Sequence, residues 1–371
     1  MAQAMGLIFS TKPVRDGRFF VFLICFLFFY IVYDKDNHKM EKQVKQVFLS
    51  PMIYVGRKVN LMANISINEF AVLVANKINL DHPELEAKVK EITKNNDTKL
   101  TGIAVSNDSN IAPVIYLDDL YSYYTMGSIT VSDAVETVMK TYEKSQINSV
   151  DMSDFFNFEK IRDSIVYKLI NKTKNEELLE DVPHVDMLDL AIIFCVLCPS
   201  ISENGMASVT IHNNHMQMWK IDVNELYEAA KKNTPKLLPA RLTSMEEMLF
   251  GMKEDLGMSN EDFEELPETD VPMYVLTNKS QTAGAACILY ENTLKSFAEK
   301  IDGDVVILPS SIHETILIPA SLRDNMTDLI AMVREVNATQ VSSDEVLSDN
   351  VYVYNRETNK IQKADDQELA V

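Results

Sequence analysis

From Met62 onward the apolar residues come in runs of strand length, as in "PVIYL", "SIVYKLIN", "LAIIFCVL", "PMYVLTN", "DVVILP" and "ETILIP". Amphipathic helical stretches and polar turns separate them, and no long regular crossovers follow each strand. That pattern favours an α+β fold over a doubly wound parallel sheet. The expectation is short, mostly antiparallel sheets with flanking amphipathic helices, arranged as two lobes.

The N-terminal lobe is expected over residues 62–240. Ser66-Ile67-Asn68-Glu69 is a capping box, and Phe70, Leu73, Val74 and Ile78 behind it share a helical face. "EAKVKEITK" and "KLTGIAVS" flank Asn95-Asn96-Asp97-Thr98, a hairpin signal, and "APVIYL" supplies a third strand. "VSDAVETVMKTY" is helical, with Val131, Val135, Val138, Met139 and Tyr142 on one side. "SIVYKLIN", "LAIIFCVL" and "ASVTIHN" read as strands. A helix capped by Asp222 and Glu225 runs until "NTPKLLP" breaks it, because proline lacks the donor and restricts the residue before it.

Residues 241–270 read as an acidic, Met-rich helical connector. The C-terminal lobe is expected over 271–363: strands at "PMYVLTN" and "GAACILY", a helix at "ENTLKSFAEKI", strands at "DVVILP" and "ETILIP", a helix at "TDLIAMVREVN" and a closing hairpin at "VYVYNRETNKIQ". Residues 364–371 form a loose tail.

With 371 residues and 46% hydrophobic content the chain can bury a sizeable core. Its formal charge is −20, divided as +5 over residues 1–61 and −25 over residues 62–371. So negative a field repels phosphate backbones and argues against direct nucleic-acid binding. A protein partner with a basic or neutral surface is the expectation. Cys25, Cys195, Cys198 and Cys287 show no regular framework, which fits reduced thiols. Cys195 and Cys198 spell C-x-x-C inside a run that reads as one buried apolar element, with no second pair to complete a zinc site.

Residues 1–61 differ from the rest. Phe19 to Tyr33 is fifteen uninterrupted apolar residues after Lys12, Arg15 and Arg18, the arrangement of a signal anchor, although shorter than the roughly 20 residues of a spanning helix. A well-made domain begins just after Met62. The leading expectation is therefore translation from Met62 and a cytoplasmic product. If the leader is retained, the chain becomes single-pass membrane-anchored, and only then is a membrane a partner.

Ten glycines are too dispersed to write G-x-G-x-x-G or a P-loop, and no G-x-S-x-G is present, which disfavours dinucleotide, nucleoside triphosphate and common serine hydrolase readings. Two clusters remain. In "LPSSIHE", Ser311 and His313 are candidates for nucleophile and base with Glu314 as orienter, against a reading of turn chemistry. In "DVPHVDMLDLA", His184, Asp186 and Asp189 could hold a divalent metal, with His313 joining if the fold brings it near. No other cofactor is expected. His212 and His215 precede Trp219, the only tryptophan, in a stretch that reads as strand and turn with Trp219 in the core.

"IAPVIYLDDLY", "YKLINKTKNEELLEDVPHVDMLDLAIIF", "NTPKLLP", "MYVLTN", "GAACILY", "LPSSIHE" and "VLSDNVYVY" resemble, in the same order, the uncharacterised clostridial family catalogued as domain of unknown function 5688. The resemblance runs from about residue 62 to 363 and implies a bacterial cytosolic protein. Members of that family start near the position of Met62 and lack a membrane segment, whereas this chain carries a leader. The resemblance brings no activity, cofactor or catalytic residue. The leading reading is thus an acidic binding or interaction protein. A metal-assisted hydrolase and a membrane-anchored extracytoplasmic domain are the alternatives.

Overall fold

The computed structural model describes residues 65–107, 112–144, 153–202, 205–248, 272–321 and 326–364. The leader with Phe19–Tyr33, most of the expected connector and nearly all of the expected tail lie outside these residues. Among the described residues no helix is long and apolar enough to cross a membrane. The described part is α+β, built of helices and three mostly antiparallel sheets.

The described residues fall into two compact units: Arg162–Val196 with Thr210–Val371, and Val55–Ile161 with Leu197–Val209. This division differs from one at residues 241–270. Ala240–Ser244, of which 241–244 are expected in the connector, is a strand that pairs residue for residue with Tyr274–Asn278, so both sides of that stretch belong to one sheet.

In the smaller unit, α1 (Ile67–Asp81) starts from the expected capping box, with Ser66 Oγ accepting from the Glu69 amide and Glu69 Oε2 accepting from the Ser66 amide at 2.7 Å. Its buried stripe is Phe70, Ala71, Val74, Ala75 and Ile78. Leu73, expected on that face, is 46% exposed, because it lies outside the stripe that meets the sheet. Strands β1 (Glu86–Thr93), β2 (Lys99–Ser106) and β3 (Val114–Tyr116) form an antiparallel sheet in that order. The β1–β2 turn places Asn96 and Asp97 at positive φ, which these short polar residues tolerate better than most. Helices α2 (Asp118–Thr125) and α3 (Val131–Lys144) complete the core, where Phe70 packs on Tyr124 at 4.8 Å between ring centres. A short α4 (Phe158–Ile161) follows.

The larger unit holds β4 (Ile165–Asn171), α5 (Glu176–Asp181), β5 (His184–Met187), the part of β6 (Leu190–Ser202) up to Val196, α6 (Asn213–Trp219), α7 (Val223–Leu237), β8 (Ala240–Ser244), β9 (Tyr274–Asn278), α8 (Thr293–Lys300), β10 (Val305–Leu308), β11 (Thr315–Pro319), α9 (Met326–Thr339), β12 (Tyr352–Asn355) and β13 (Lys360–Lys363). Strand β7 (Gly205–Thr210), which up to Val209 belongs to the smaller unit, pairs with β6, and β6 also lies between β4 and β5. The other sheet has the order β13-β12-β10-β11-β9-β8. Its central strands are buried along nearly their whole length because both faces are covered. Val306, Leu308, Ile316 and Ile318 pack with Leu329, Val333 and other residues of α9, and α8 and the 3-10 turn Gly284–Leu289 pack against the same strands. Two-sided burial explains why "VVIL" and "TILIP" are continuous rather than alternating apolar runs.

Three local expectations are corrected. "GAACILY" is the 3-10 turn Gly284–Leu289 and not a strand. Its small residues permit close approach: a Cβ on Gly284 would collide with Thr277 Oγ1, the His313 carbonyl oxygen and the Asn278 amide nitrogen. "IHNNHMQMW" contains a helix, α6, with His212 at its N-cap, and Trp219 is buried. Pro235 does not end α7, which continues to Leu237. It sits in the last turn, and buried Thr234 before it is anchored by donating to the Ala230 carbonyl and accepting from the Tyr167 amide.

Candidate functional site

"LPSSIHE" joins β10 to β11, so its residues must close an antiparallel turn before they can do anything else. Ser311, with 2% exposure, donates from Oγ to Glu314 Oε1 at 2.8 Å and accepts the His313 amide at 3.0 Å. The Ser311 amide donates to the Glu314 carbonyl. This is the local side-chain to backbone bonding by which serine fixes turns.

His313 points away from that hydroxyl. Its Nδ1 accepts the Ala283 amide at 3.1 Å, and its Nε2 lies 3.3 Å from Glu345 Oε1. An amide can only donate, so Nδ1 is unprotonated in this bond, and the ring proton sits on Nε2 toward the carboxylate. The His313 carbonyl accepts Thr277 Oγ1, and the Ile312 amide donates to the Glu345 carbonyl. Ser311, His313 and Glu314 therefore lie close in the chain without a hydroxyl to imidazole contact. By contrast Ser310 Oγ and Thr315 Oγ1 are buried with no hydrogen-bond partner.

The second cluster sits on the β5–β6 hairpin. Met187 pairs with Leu190, which leaves Leu188 and Asp189 as a two-residue loop. Leu188 has φ of 56°, a left-handed conformation usually left to Gly, Asn or Asp in such loops. Asp189 accepts from Ser348 Oγ at 2.7 Å, Asn350 Nδ2 at 2.9 Å and Tyr352 OH at 3.0 Å, with Lys363 Nζ at 3.7 Å. Burial alone would push its carboxyl up; the three hydrogen bonds and the Lys363 charge outweigh that and hold it below the usual carboxylate range. Burial instead pushes the Tyr352 phenol up.

Asp186 lies on the same hairpin but has another partner, Lys172 Nζ at 2.6 Å, which lowers its pKa. His184 Nδ1 bonds the Val182 carbonyl at 3.1 Å, and its Nε2 is 3.8 Å from Asp186 Oδ1. Asp189 is thus drawn to residues 348–352 and Asp186 to Lys172 just past the end of β4, while His313 faces Glu345. Among the described residues no three His, Cys, Asp or Glu side chains are grouped to hold a metal ion.

Several residues important to this region gave no signal in a short sequence window. Asn171 donates from Nδ2 to the Leu347 carbonyl, and Asn337 donates to the Ser348 carbonyl and to Asp349 Oδ1. Lys174 pairs with Asp349 at 3.1 Å. Together with Asp189 they hold "LSDN" against the ends of β4 and β6. Partners from 11 to 176 residues apart carry no local pattern; only the isolated polar residues beside apolar runs could have marked them.

His212 and His215 serve α6. The His212 amide donates to His215 Nδ1 at 3.0 Å, and His212 Nδ1 lies 2.7 Å from Asp181 Oδ2. Burial, then the neighbouring His212, lowers the His215 pKa against the opposing pull of Asp181. Cys195 and Cys198, an odd number of residues apart on β6, face opposite sides of the strand, and neither is in a disulfide.

A profile described as a family of unknown function (DUF5688) matches residues 67–356, and the chain belongs to that family. No curated protein and no solved structure matches it.

Proposed function

We propose that this member of a family of unknown function acts in the cytoplasm by binding a protein partner, without chemistry of its own. The observation that carries the reading is the commitment of its reactive-looking side chains to neighbours: Ser311 to Glu314 and the His313 amide, His313 to Ala283 and Glu345, Asp189 to Ser348, Asn350 and Tyr352. A nucleophile and base in working order would contact each other, and a metal-assisted hydrolase would need the two clusters to converge. The net charge of −20 favours a partner with a basic face. Cytoplasmic placement assumes translation from Met62. A product that keeps Phe19–Tyr33 would instead be membrane-anchored, and intact mass from the native host distinguishes the two.

The test is crosslinking of the tagged full chain at native abundance, followed by purification and metal analysis. One stoichiometric partner with a basic surface, released by raised salt, is the expected result. Stoichiometric metal, or hydrolysis of a substrate panel, lost in His313→Ala would overturn the reading.

A further inference from the structure

A groove of about 570 Å³ opens on the larger unit, lined by the tip of the β5–β6 hairpin, the segment leading into α8 and the β12–β13 hairpin. Its volume falls within the roughly 300–1,000 Å³ of small-molecule sites. Met187, Leu188, Leu289, Leu294 and Ile361 give it an apolar wall.

Leu188 is the unusual member of that wall. It is 45% exposed and left-handed, so a bulky residue adopts a strained backbone without burying its side chain in the core. Strain of this kind persists only where neighbours over-determine it. Here the next residue does so, because Asp189 is clamped by Ser348, Asn350 and Tyr352. The clamp fixes the hairpin tip with Leu188 at the groove.

The polar lining has a definite sign. Lys295 and Lys360 both line the groove, and neither has an ion-pair partner among the described residues. Among the described residues Glu291 is the one acidic residue in the lining. In a chain of net charge −20, two uncommitted ammonium groups beside an apolar wall select an anionic head on an apolar body. A cationic amphiphile would meet like charge, and a neutral one would leave both ammonium groups unanswered.

We propose that this groove binds an amphiphilic organic carboxylate, its apolar body against Leu188 and Leu294 and its carboxylate at Lys295 and Lys360. The site is independent of the protein-partner reading.

Calorimetric titration of the full chain with decanoate, decanol and decyltrimethylammonium tests it. Decanoate is expected to bind saturably at one site and tighter than the other two. Lys295→Gln/Lys360→Gln should weaken decanoate by about tenfold or more, the scale of losing charge-assisted hydrogen bonds, with the thermal midpoint unchanged. Leu188→Gly should raise the midpoint by relieving strain and still weaken decanoate, which separates the site from the fold. Absence of decanoate binding, equal affinity in the double-lysine variant, or equal affinity for decyltrimethylammonium would each overturn the proposal.

Discussion

Asp189→Ala removes the acceptor on which three donors converge. Two of them have little recourse to water: Ser348 is fully buried and Tyr352 is 1% exposed. Each buried donor left without a partner costs about 1–3 kcal/mol. Asn350 is only partly buried and can rehydrate, and the Lys363 pair at 3.7 Å sits near the surface and adds little. The expected destabilisation is therefore about 3–4 kcal/mol. Trp219, the only tryptophan, is buried in the same unit, so urea unfolding followed by its fluorescence reads the loss directly. The cycle with Tyr352→Phe should be strongly non-additive, since one bond cannot be lost twice. Because the folded pKa of Asp189 lies below that of a free Asp, about 3.9, its contribution is complete above that pH. It disappears as pH falls through the lower folded value, and Asp189→Ala should flatten that part of the acid profile. A destabilisation under about 1 kcal/mol, the scale of one ordinary hydrogen bond, or additivity with Tyr352→Phe, would refute the clamp.

Other expectations follow from the same contacts. Gly284→Ala forces a methyl group into the Thr277 side chain and two backbone atoms, and should cost about 3 kcal/mol or more in urea unfolding. Ser310→Ala should be neutral or stabilising by about 1 kcal/mol, because its buried hydroxyl has no partner to lose. Cys287 is buried with its thiol pushed up to about 12, so thiol reagents at pH 8 should leave it unlabelled, by mass spectrometry, until the chain unfolds. His215 has a lowered pKa in the fold, so its contribution is present above about pH 6.5 and lost as pH falls through the folded value. Hydrogen-exchange protection of Asn213–Trp219, measured against the intrinsic rate at each pH, should fall from pH 7 to pH 5, and less so in His215→Asn, which keeps an acceptor without a titrating ring.

The sequence by itself determined the elements whose causes are local. The capping boxes at Ser66 and Asp222, the Asn95–Thr98 turn and the apolar stripe of α3 each rest on residues within a turn or two of one another, and they appear where spacing put them. The α+β class followed from the lengths of the apolar runs. What only the tertiary structure decided has non-local causes. "GAACILY" has strand composition, yet close approach to Thr277 and His313 makes it a 3-10 turn. Pro235 was a sound local breaker, overridden because Thr234 is bonded to β4. Among the candidate site residues, Ser311 and Glu314 were legible as turn chemistry because their bond spans three residues. The fate of Asp189 was not, since its partners lie 159 or more residues away. A carboxylate in a sequence is equally a metal ligand, a general base or a clamp, and which one it becomes depends on the donors that folding brings to it.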